Sequence, residues 1–174
     1  PSSLEQRTAH SAQRYCVWVL DSALWGLVQG LTEFLPISSS GHLVLIPAFL
    51  DKEAPDLATT AVLHLGTLAA VIWYFRSDVA WLLRPDRDPR AWHIVKLLVI
   101  GTIPAVVAGL LLESTLDELF DNPTRVGLAL IFTGIILLAS GLFHRLTRKL
   151  EDAGVPDALV VGTAQAMALV PGVS

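Results

Sequence analysis

The sequence predicts an all-α polytopic membrane protein, organised as an inverted-topology repeat with re-entrant helix-loop-helix hairpins. Of the 174 residues, 53% are hydrophobic and only 16% are charged, which is more apolar surface than a soluble domain of this length can bury. Several apolar runs approach the roughly 20 residues that cross a bilayer core. An interrupted apolar segment near the start of the chain also has a partial copy near its end.

Residues 1–14 are polar and lack the basic, then apolar, then small-residue order of a cleavable signal peptide. We interpret them as an N-terminal extension. In residues 15–50 the apolar signal is interrupted by the run Pro36–His42, in which proline and glycine break a helix and serines compete for backbone hydrogen bonds. The piece Ser40–Leu50 is too short to span a bilayer, so this segment is predicted to be a re-entrant helix-loop-helix.

Residues 57–143 contain three predicted transmembrane helices, over Leu57–Phe75, Trp92–Leu112 and Arg125–Phe143. Residues 144–174 are a basic loop and the start of a second re-entrant segment. Lysine and arginine concentrate in cytoplasmic loops. One basic loop carries Arg76, Arg84, Arg87 and Arg90, and the other carries Arg145, Arg148 and Lys149. These loops are predicted to face the cytoplasm, and the acidic segments Asp51–Asp56 and Glu113–Asn122 to face outward.

The internal repeat relates Gly26-Leu27-Val28-Gln29 to Gly162-Thr163-Ala164-Gln165. In each copy a serine follows the glutamine by nine positions, as Ser38 or Ser174. Three predicted spans separate the copies, and an odd number inverts the second copy relative to the first. Inverted halves with interrupted helices build polar sites near the middle of a membrane. Because the second interruption only begins at Ser174, we expect the whole protein to continue with another half-helix and about three spans.

Glu33 is the first candidate for chemistry, because an acidic residue inside a membrane segment costs roughly 2.5–3.5 kcal/mol on insertion scales. Gln29 precedes it by one helical turn, which places both side chains on one face. Their oxygens could hold a hard divalent cation such as Mg²⁺ or Ca²⁺. The alternative is that Glu33 only hydrogen-bonds the serine loop and holds the hairpin.

The run Ser38-Ser39-Ser40-Gly41-His42 leads into the next half-helix, whose N-terminus attracts phosphate. The imidazole of His42 could act as a nucleophile or exchange a proton near neutral pH. The structural alternative is a serine-rich helix cap with a non-catalytic histidine. His64 is a further polar residue in a span; it could line the cavity, but we favour a hydrogen bond to a neighbouring helix.

A family resemblance starts at these residues. The run Gln29-Gly30-Leu31-Thr32-Glu33-Phe34-Leu35-Pro36-Ile37-Ser38-Ser39-Ser40-Gly41-His42 resembles the signature of the undecaprenyl-diphosphate phosphatases of the bacitracin-resistance type. Further similarity covers essentially everything after Tyr15. It includes Leu63-His64-Leu65-Gly66-Thr67, Gly101-Thr102-Ile103-Pro104-Ala105, and Gln165 through Pro171-Gly172-Val173-Ser174.

The resemblance implies hydrolysis of undecaprenyl (polyprenyl) diphosphate to the monophosphate and inorganic phosphate, in the plasma membrane. The outward side of the first hairpin suggests that the site faces the extracytoplasmic side. By position, Gln29 and Glu33 match the family's pair associated with the divalent cation. Ser39 and His42 match its catalytic loop residues, Ser38 lies beside them, and Ser174 matches the serine before its essential arginine. The expected partners are the lipid substrate and membrane lipid, with no nucleic acid; a homodimer is compatible with this expectation.

Two departures from the family pattern matter. Gln29 occupies a position that is Glu in some members, so the site has one negative charge fewer. The second family motif reads Pro-Gly-any-Ser-Arg-Ser, and this chain ends at Ser174, before the arginine. We therefore expect no activity from this stretch alone, because cations normally stabilise the phosphoryl oxygens.

Two other classes of function fit the same architecture. Inverted repeats with broken helices also build transporters and lipid translocases. A transporter would tolerate loss of His42, whereas a phosphatase would lose turnover. A structural membrane protein, in which Glu33 and the serines only fix the hairpin, would lose stability instead.

Overall fold

The computed structural model of the chain describes residues 3–84, 88–142 and 150–174. These residues form α-helices joined by short turns, as predicted for an all-α protein. The α-helices are α1 (Ser3–Thr32), α2 (Ser39–Phe49), α3 (Leu57–Tyr74), α4 (Arg76–Leu82), α5 (Pro89–Phe120), α6 (Pro123–Leu142) and α7 (Val155–Met167). A 3₁₀ helix, Leu150–Asp152, precedes α7.

Within the described residues, three helices are long and apolar enough to cross a membrane: α3, α5 and residues Pro123–Gly141 of α6. Each predicted span lies in one of them to within a residue or two at its end: Phe75 is the C-cap of α3, and Phe143 falls outside the described residues. Their large apolar side chains are mostly exposed, as expected for lipid-facing surfaces. The chain is therefore a polytopic helical membrane protein.

Helix α5 is longer than the predicted span. Its 32 residues reach about 48 Å at 1.5 Å per residue, beyond a hydrocarbon core of about 30 Å. The extra length continues through the acidic segment that begins at Glu113, where leucine and glutamate favour helix. The acidic segment is thus helical up to Phe120.

The two helices of the first hairpin both begin earlier in the chain than the sequence predicts. Helix α1 begins at Ser3, so the polar extension is helical from that residue onward. Helix α2 begins at Ser39, within one residue of the predicted piece Ser40–Leu50. Serine is a strong N-cap residue, and Ser38 takes that position by accepting a hydrogen bond from the Gly41 backbone N–H.

Helices α1 and α2 pack against each other through Trp25, Val28 and Leu43. The chain between them turns at residues 33–38. Helix α7 likewise ends at Met167 and is followed by a turn. The re-entrant depth of these segments in a bilayer and their inverted symmetry stay predictions.

Two aspartates cap the helices that enter the membrane. Asp56 caps α3, and the hydrogen bonds from the Thr59 side chain and backbone N–H lower the pKa of its carboxyl group. Asp88 caps α5, and its pKa is lowered by hydrogen bonds from the backbone and then the side chain of Arg90. Both caps lie outside the spans and satisfy N–H groups at helix starts.

The two predicted basic loops are described only in part. Four of their basic residues lie outside the described residues: Arg87, Arg145, Arg148 and Lys149.

Helices α5 and α7 make the most extensive contact between helices in the described chain. Gly101 of α5 and Gly162 of α7 meet there, and a Cβ added at Gly162 would overlap the Gly101 carbonyl oxygen. Small residues at such positions let membrane helices approach closely. This contact holds α7 against α5 and thereby positions the turn that follows Met167.

We expect Gly162→Ala to lower thermal stability by about 1–3 kcal/mol, because the methyl group forces the two backbones apart. The measurement is the melting temperature of the detergent-solubilised full-length protein. Gly66→Ala is the matched control, since an added Cβ there has nothing within 4 Å. Equal melting temperatures for the two variants would contradict the close contact.

Candidate functional site

The carboxylate of Glu33 is the centre of a polar cluster just after the end of α1. Its Oε2 atom accepts hydrogen bonds from Gln29 Nε2 at 3.0 Å and from the Ser39 hydroxyl at 2.5 Å. The first contact confirms that Gln29 and Glu33 share a helix face. The second joins the end of α1 to the first residue of α2, which a turn of six residues makes possible.

The Glu33 side chain is partly accessible, with 31% of its surface exposed, whereas Gln29 is almost fully buried. A carboxylate that faces solvent on one side and a hydroxyl on the other can accept a proton from that hydroxyl. This is the arrangement by which a base activates a serine. The cluster can therefore support either nucleophilic attack or the orientation of a reacting group.

The hydroxyl of Ser38 makes different contacts from that of its neighbour Ser39. Its side chain is buried, and its Oγ accepts the backbone N–H of Gly41 at 3.3 Å and that of Gly172 at 3.1 Å. It also shares a hydrogen bond with the Ser40 hydroxyl at 3.2 Å. A hydroxyl so occupied is poorly placed to attack a substrate. Ser38 instead fastens the turn after α7 to the start of α2.

The backbone around this fastening is strained and closely packed. Ser38 adopts φ 61°, a left-handed conformation that side chains rarely take. A Cβ added at Gly41 would lie 3.0 Å from the Gly172 Cα. The first turn of α2 and the turn after α7 therefore touch backbone to backbone. Thr133 of α6 holds the other side of Gly172, donating a 2.8 Å hydrogen bond to its carbonyl oxygen. The geometry is thus determined by three separate parts of the chain.

His42 lies in the first turn of α2 and is partly buried. Its Nδ1 lies 2.8 Å from the Ser38 carbonyl oxygen, which fixes the ring by a hydrogen bond from Nδ1–H. That assignment leaves Nε2 as the ring nitrogen for proton transfer.

Ser174 is exposed and lies two residues beyond Gly172. Within the described residues, no hydrogen bond joins it to the Glu33 cluster.

His64 of α3 faces the same carboxylate. Its Nδ1 lies 2.8 Å from the Thr60 carbonyl oxygen in its own helix, and its Nε2 lies 4.0 Å from Glu33 Oε2. The favoured sequence interpretation, a hydrogen bond to a neighbouring helix, was therefore wrong, and His64 lines the site. A polar residue in a membrane span was the signal. No comparable signal marked Thr133, whose role depends on a contact 39 positions away.

The side chains of this cluster provide some of the ligand atoms that a divalent cation needs. In the described chain no three carboxylate, imidazole or thiol side chains converge, so a cation would need other oxygens as well. Gln29 supplies one: its Oε1 is buried and has no hydrogen-bond partner among the described residues. An unpartnered buried carbonyl is costly, and a cation or its water would satisfy it. Glu33 and Gln29 are thus compatible with the ligand pair predicted from sequence.

We expect Ser38→Ala to destabilise the protein by about 2–4 kcal/mol, from the lost N-cap and the unpaired Gly172 N–H. Thermal unfolding of the purified protein measures this loss. Ser140→Ala is the control, because Ser140 is exposed and, within the described residues, its hydroxyl donates a hydrogen bond only to the Leu137 carbonyl one turn away. A Ser38→Ala variant as stable as the control would show that the hydrogen bond between Ser38 and the Gly172 N–H contributes nothing to the free energy of unfolding.

The fold and the site define a class: a polytopic helical membrane protein with a carboxylate and serine cluster where two turns meet. Residues 22–174 match the family described as bacitracin resistance protein BacA. The chain belongs to this family.

Named relatives agree with this assignment. The chain is 43% identical to an undecaprenyl-diphosphatase of Gemmatimonas aurantiaca, over 91% of this chain and 61% of that protein. It is 42% identical to the undecaprenyl-diphosphatase of Thermomicrobium roseum, over 91% of this chain and 62% of that protein. The enzyme of Thermotoga maritima is 42% identical, over 87% and 61%. The chain therefore spans about three fifths of the length of these relatives.

Proposed function

We propose that the protein is an integral membrane phosphatase that hydrolyses undecaprenyl diphosphate, or a related polyprenyl diphosphate, to the monophosphate and inorganic phosphate. The names of its relatives support this activity. The observation that carries the proposal is the 2.5 Å hydrogen bond from the Ser39 hydroxyl to Glu33 Oε2, which pairs a nucleophile with a base at a partly open site.

In this proposal the Ser39 oxygen attacks the terminal phosphorus while its proton passes to Glu33. The bond between that phosphorus and the bridging oxygen breaks, and the electron pair leaves on the polyprenyl monophosphate. Water then attacks the phosphoserine, and Ser39 regains its proton from Glu33 as inorganic phosphate departs. His42 accepts the proton of the attacking water through Nε2, since Nδ1 is held by the Ser38 carbonyl, and then releases that proton to solvent.

A divalent cation, Mg²⁺ or Ca²⁺, is part of the proposal, with Glu33 and Gln29 as its ligands. When bound, it supplies positive charge to the phosphoryl oxygens. Ser174 lies two residues after Gly172, whose backbone N–H binds Ser38 at the start of α2. We place the site on the extracytoplasmic side of the plasma membrane, because the hairpin leads into the acidic segment from Asp51. A homodimer stays a prediction.

The test is release of inorganic phosphate by the detergent-solubilised full-length protein given a polyprenyl diphosphate, with and without Mg²⁺ or Ca²⁺. We expect metal-dependent release, and a loss of about 100-fold or more in His42→Ala that retains its fold. The transporter alternative predicts no release from the folded parent protein and a His42→Ala variant that still moves lipid in vesicles. That result would overturn the phosphatase proposal.

A further inference from the structure

His64 is held in one orientation by its own helix. Because a carbonyl oxygen can only accept, the 2.8 Å contact between Nδ1 and the Thr60 oxygen requires the ring proton to be on Nδ1. The lone pair of the neutral ring is then on Nε2, the atom that faces Glu33. The helix is locally reinforced by Thr67, whose hydroxyl donates to the His64 carbonyl at 3.0 Å.

The distance of 4.0 Å between His64 Nε2 and Glu33 Oε2 is too long for a hydrogen bond. It is compatible with two ligands at opposite corners of one cation. Metal–nitrogen and metal–oxygen bonds are about 2.1 Å, so two ligands lie about 3 Å apart at adjacent corners and about 4 Å apart at opposite ones. A histidine ligand also typically donates its other ring N–H to a backbone carbonyl, as Nδ1 does here.

We propose that His64 is a third protein ligand of the divalent cation, through Nε2, beside Glu33 and the buried Gln29 carbonyl oxygen. This inference rests on the cation site of the proposed function. The set contains one carboxylate, one amide oxygen and one imidazole, which explains why no cluster of three acidic, histidine or cysteine side chains occurs among the described residues. Two of these donors come from α1 and its end, and the third comes from α3.

The imidazole changes which cation the site prefers. Mg²⁺ and Ca²⁺ favour oxygen ligands throughout, whereas imidazole suits transition metals. A site with one nitrogen donor should therefore bind Mn²⁺ more tightly than Mg²⁺, by about tenfold or more. The sequence alone suggested only hard cations, because it assigned Gln29 and Glu33 as the ligands and His64 only as a residue that could line the cavity.

The test measures Mn²⁺ binding to the full-length protein without substrate. Pulsed electron paramagnetic resonance of bound Mn²⁺ should show coupling to a histidine nitrogen, and its frequencies should change when histidine is labelled with ¹⁵N. His64→Ala should abolish this coupling and weaken Mn²⁺ binding at least about tenfold, with a smaller effect on Mg²⁺. His93→Ala is the control, because that ring bonds the Ala153 carbonyl at the start of α7.

His64→Gln provides a second variant in case alanine prevents folding, since it keeps a polar side chain but has no imidazole. Absence of nitrogen coupling in the parent protein, or its persistence in a folded His64 variant, would overturn the inference. Phosphate release by the parent protein is measured separately. Release without nitrogen coupling would refute the His64 ligand alone, whereas nitrogen coupling without release would refute the phosphatase activity alone.

Discussion

Replacing Glu33 by glutamine is expected to lower kcat/KM for phosphate release from a polyprenyl diphosphate by about a thousandfold. Glutamine keeps the size of the side chain but cannot take a proton from Ser39, and it removes the negative charge that would hold a cation. The Ser39 hydroxyl then has no base within hydrogen-bonding distance in the described structure. The measurement is steady-state release of inorganic phosphate at saturating metal, with folding checked by melting temperature.

Asp21→Asn is the matched control for this variant. Asp21 is a carboxylate of α1, the helix that ends just before Glu33, and it forms an ion pair with Lys52 at 2.6 Å. Such accessible pairs contribute little to stability, so we expect nearly parental activity. Glu33→Gln activity above a tenth of the parental value would exclude Glu33 as the base.

A double variant separates action through Ser39 from independent action. If Glu33 works by accepting the Ser39 proton, then Glu33→Gln combined with Ser39→Ala should be no slower than the slower single variant. Multiplicative losses would mean that the two residues act on separate steps. In that case Glu33 would serve the cation alone.

Gly172→Ala is expected to produce the largest loss of stability, about 3–5 kcal/mol. Gly172 has φ 94°, which disfavours any side chain, and an added Cβ would lie 2.5 Å from the Val126 carbonyl oxygen. The strain and the clash each cost about 1–3 kcal/mol. Movement of this turn would also break the hydrogen bonds of Gly172 to Ser38 and Thr133.

The measurement is the thermal unfolding of Gly172→Ala, and Gly30→Ala is its control variant. Gly30 is in α1, and an added Cβ there meets nothing within 4 Å, so alanine should be neutral or slightly stabilising. The phosphatase proposal adds that Gly172→Ala should also lose activity below its melting temperature. A Gly172→Ala protein as stable as Gly30→Ala would contradict the described turn.

The prediction from sequence was most successful where a single chemical pattern decides the outcome. Apolar runs of near 20 residues specify membrane spans because an unpaired backbone is so costly in lipid, and α3, α5 and α6 confirm all three. The spacing of Gln29 and Glu33 specifies a shared face because a helix repeats every 3.6 residues, and their 3.0 Å contact follows. The signature at residues 29–42 likewise led to the family that the comparison shows.

Tertiary structure decided what each polar group of that signature contacts. Ser38 and Ser39 are neighbours of identical chemistry, yet one hydroxyl is buried between two turns and the other bonds Glu33. The difference depends on Gly172, 134 positions away from Ser38 in the chain. Sequence spacing along one helix cannot reveal such a contact, because it depends on how separate helices are packed.

By itself, therefore, the sequence determined the helical membrane architecture, the family, and the pairing of Gln29 with Glu33. Only the packing of α1, α2, α3 and α7 determined that Ser38 fastens two turns and that His64 faces the carboxylate. The physical reason is the range of the interactions. Local periodicity and hydropathy act within one helix, whereas a polar site in a membrane needs donors and acceptors from several helices to satisfy one another.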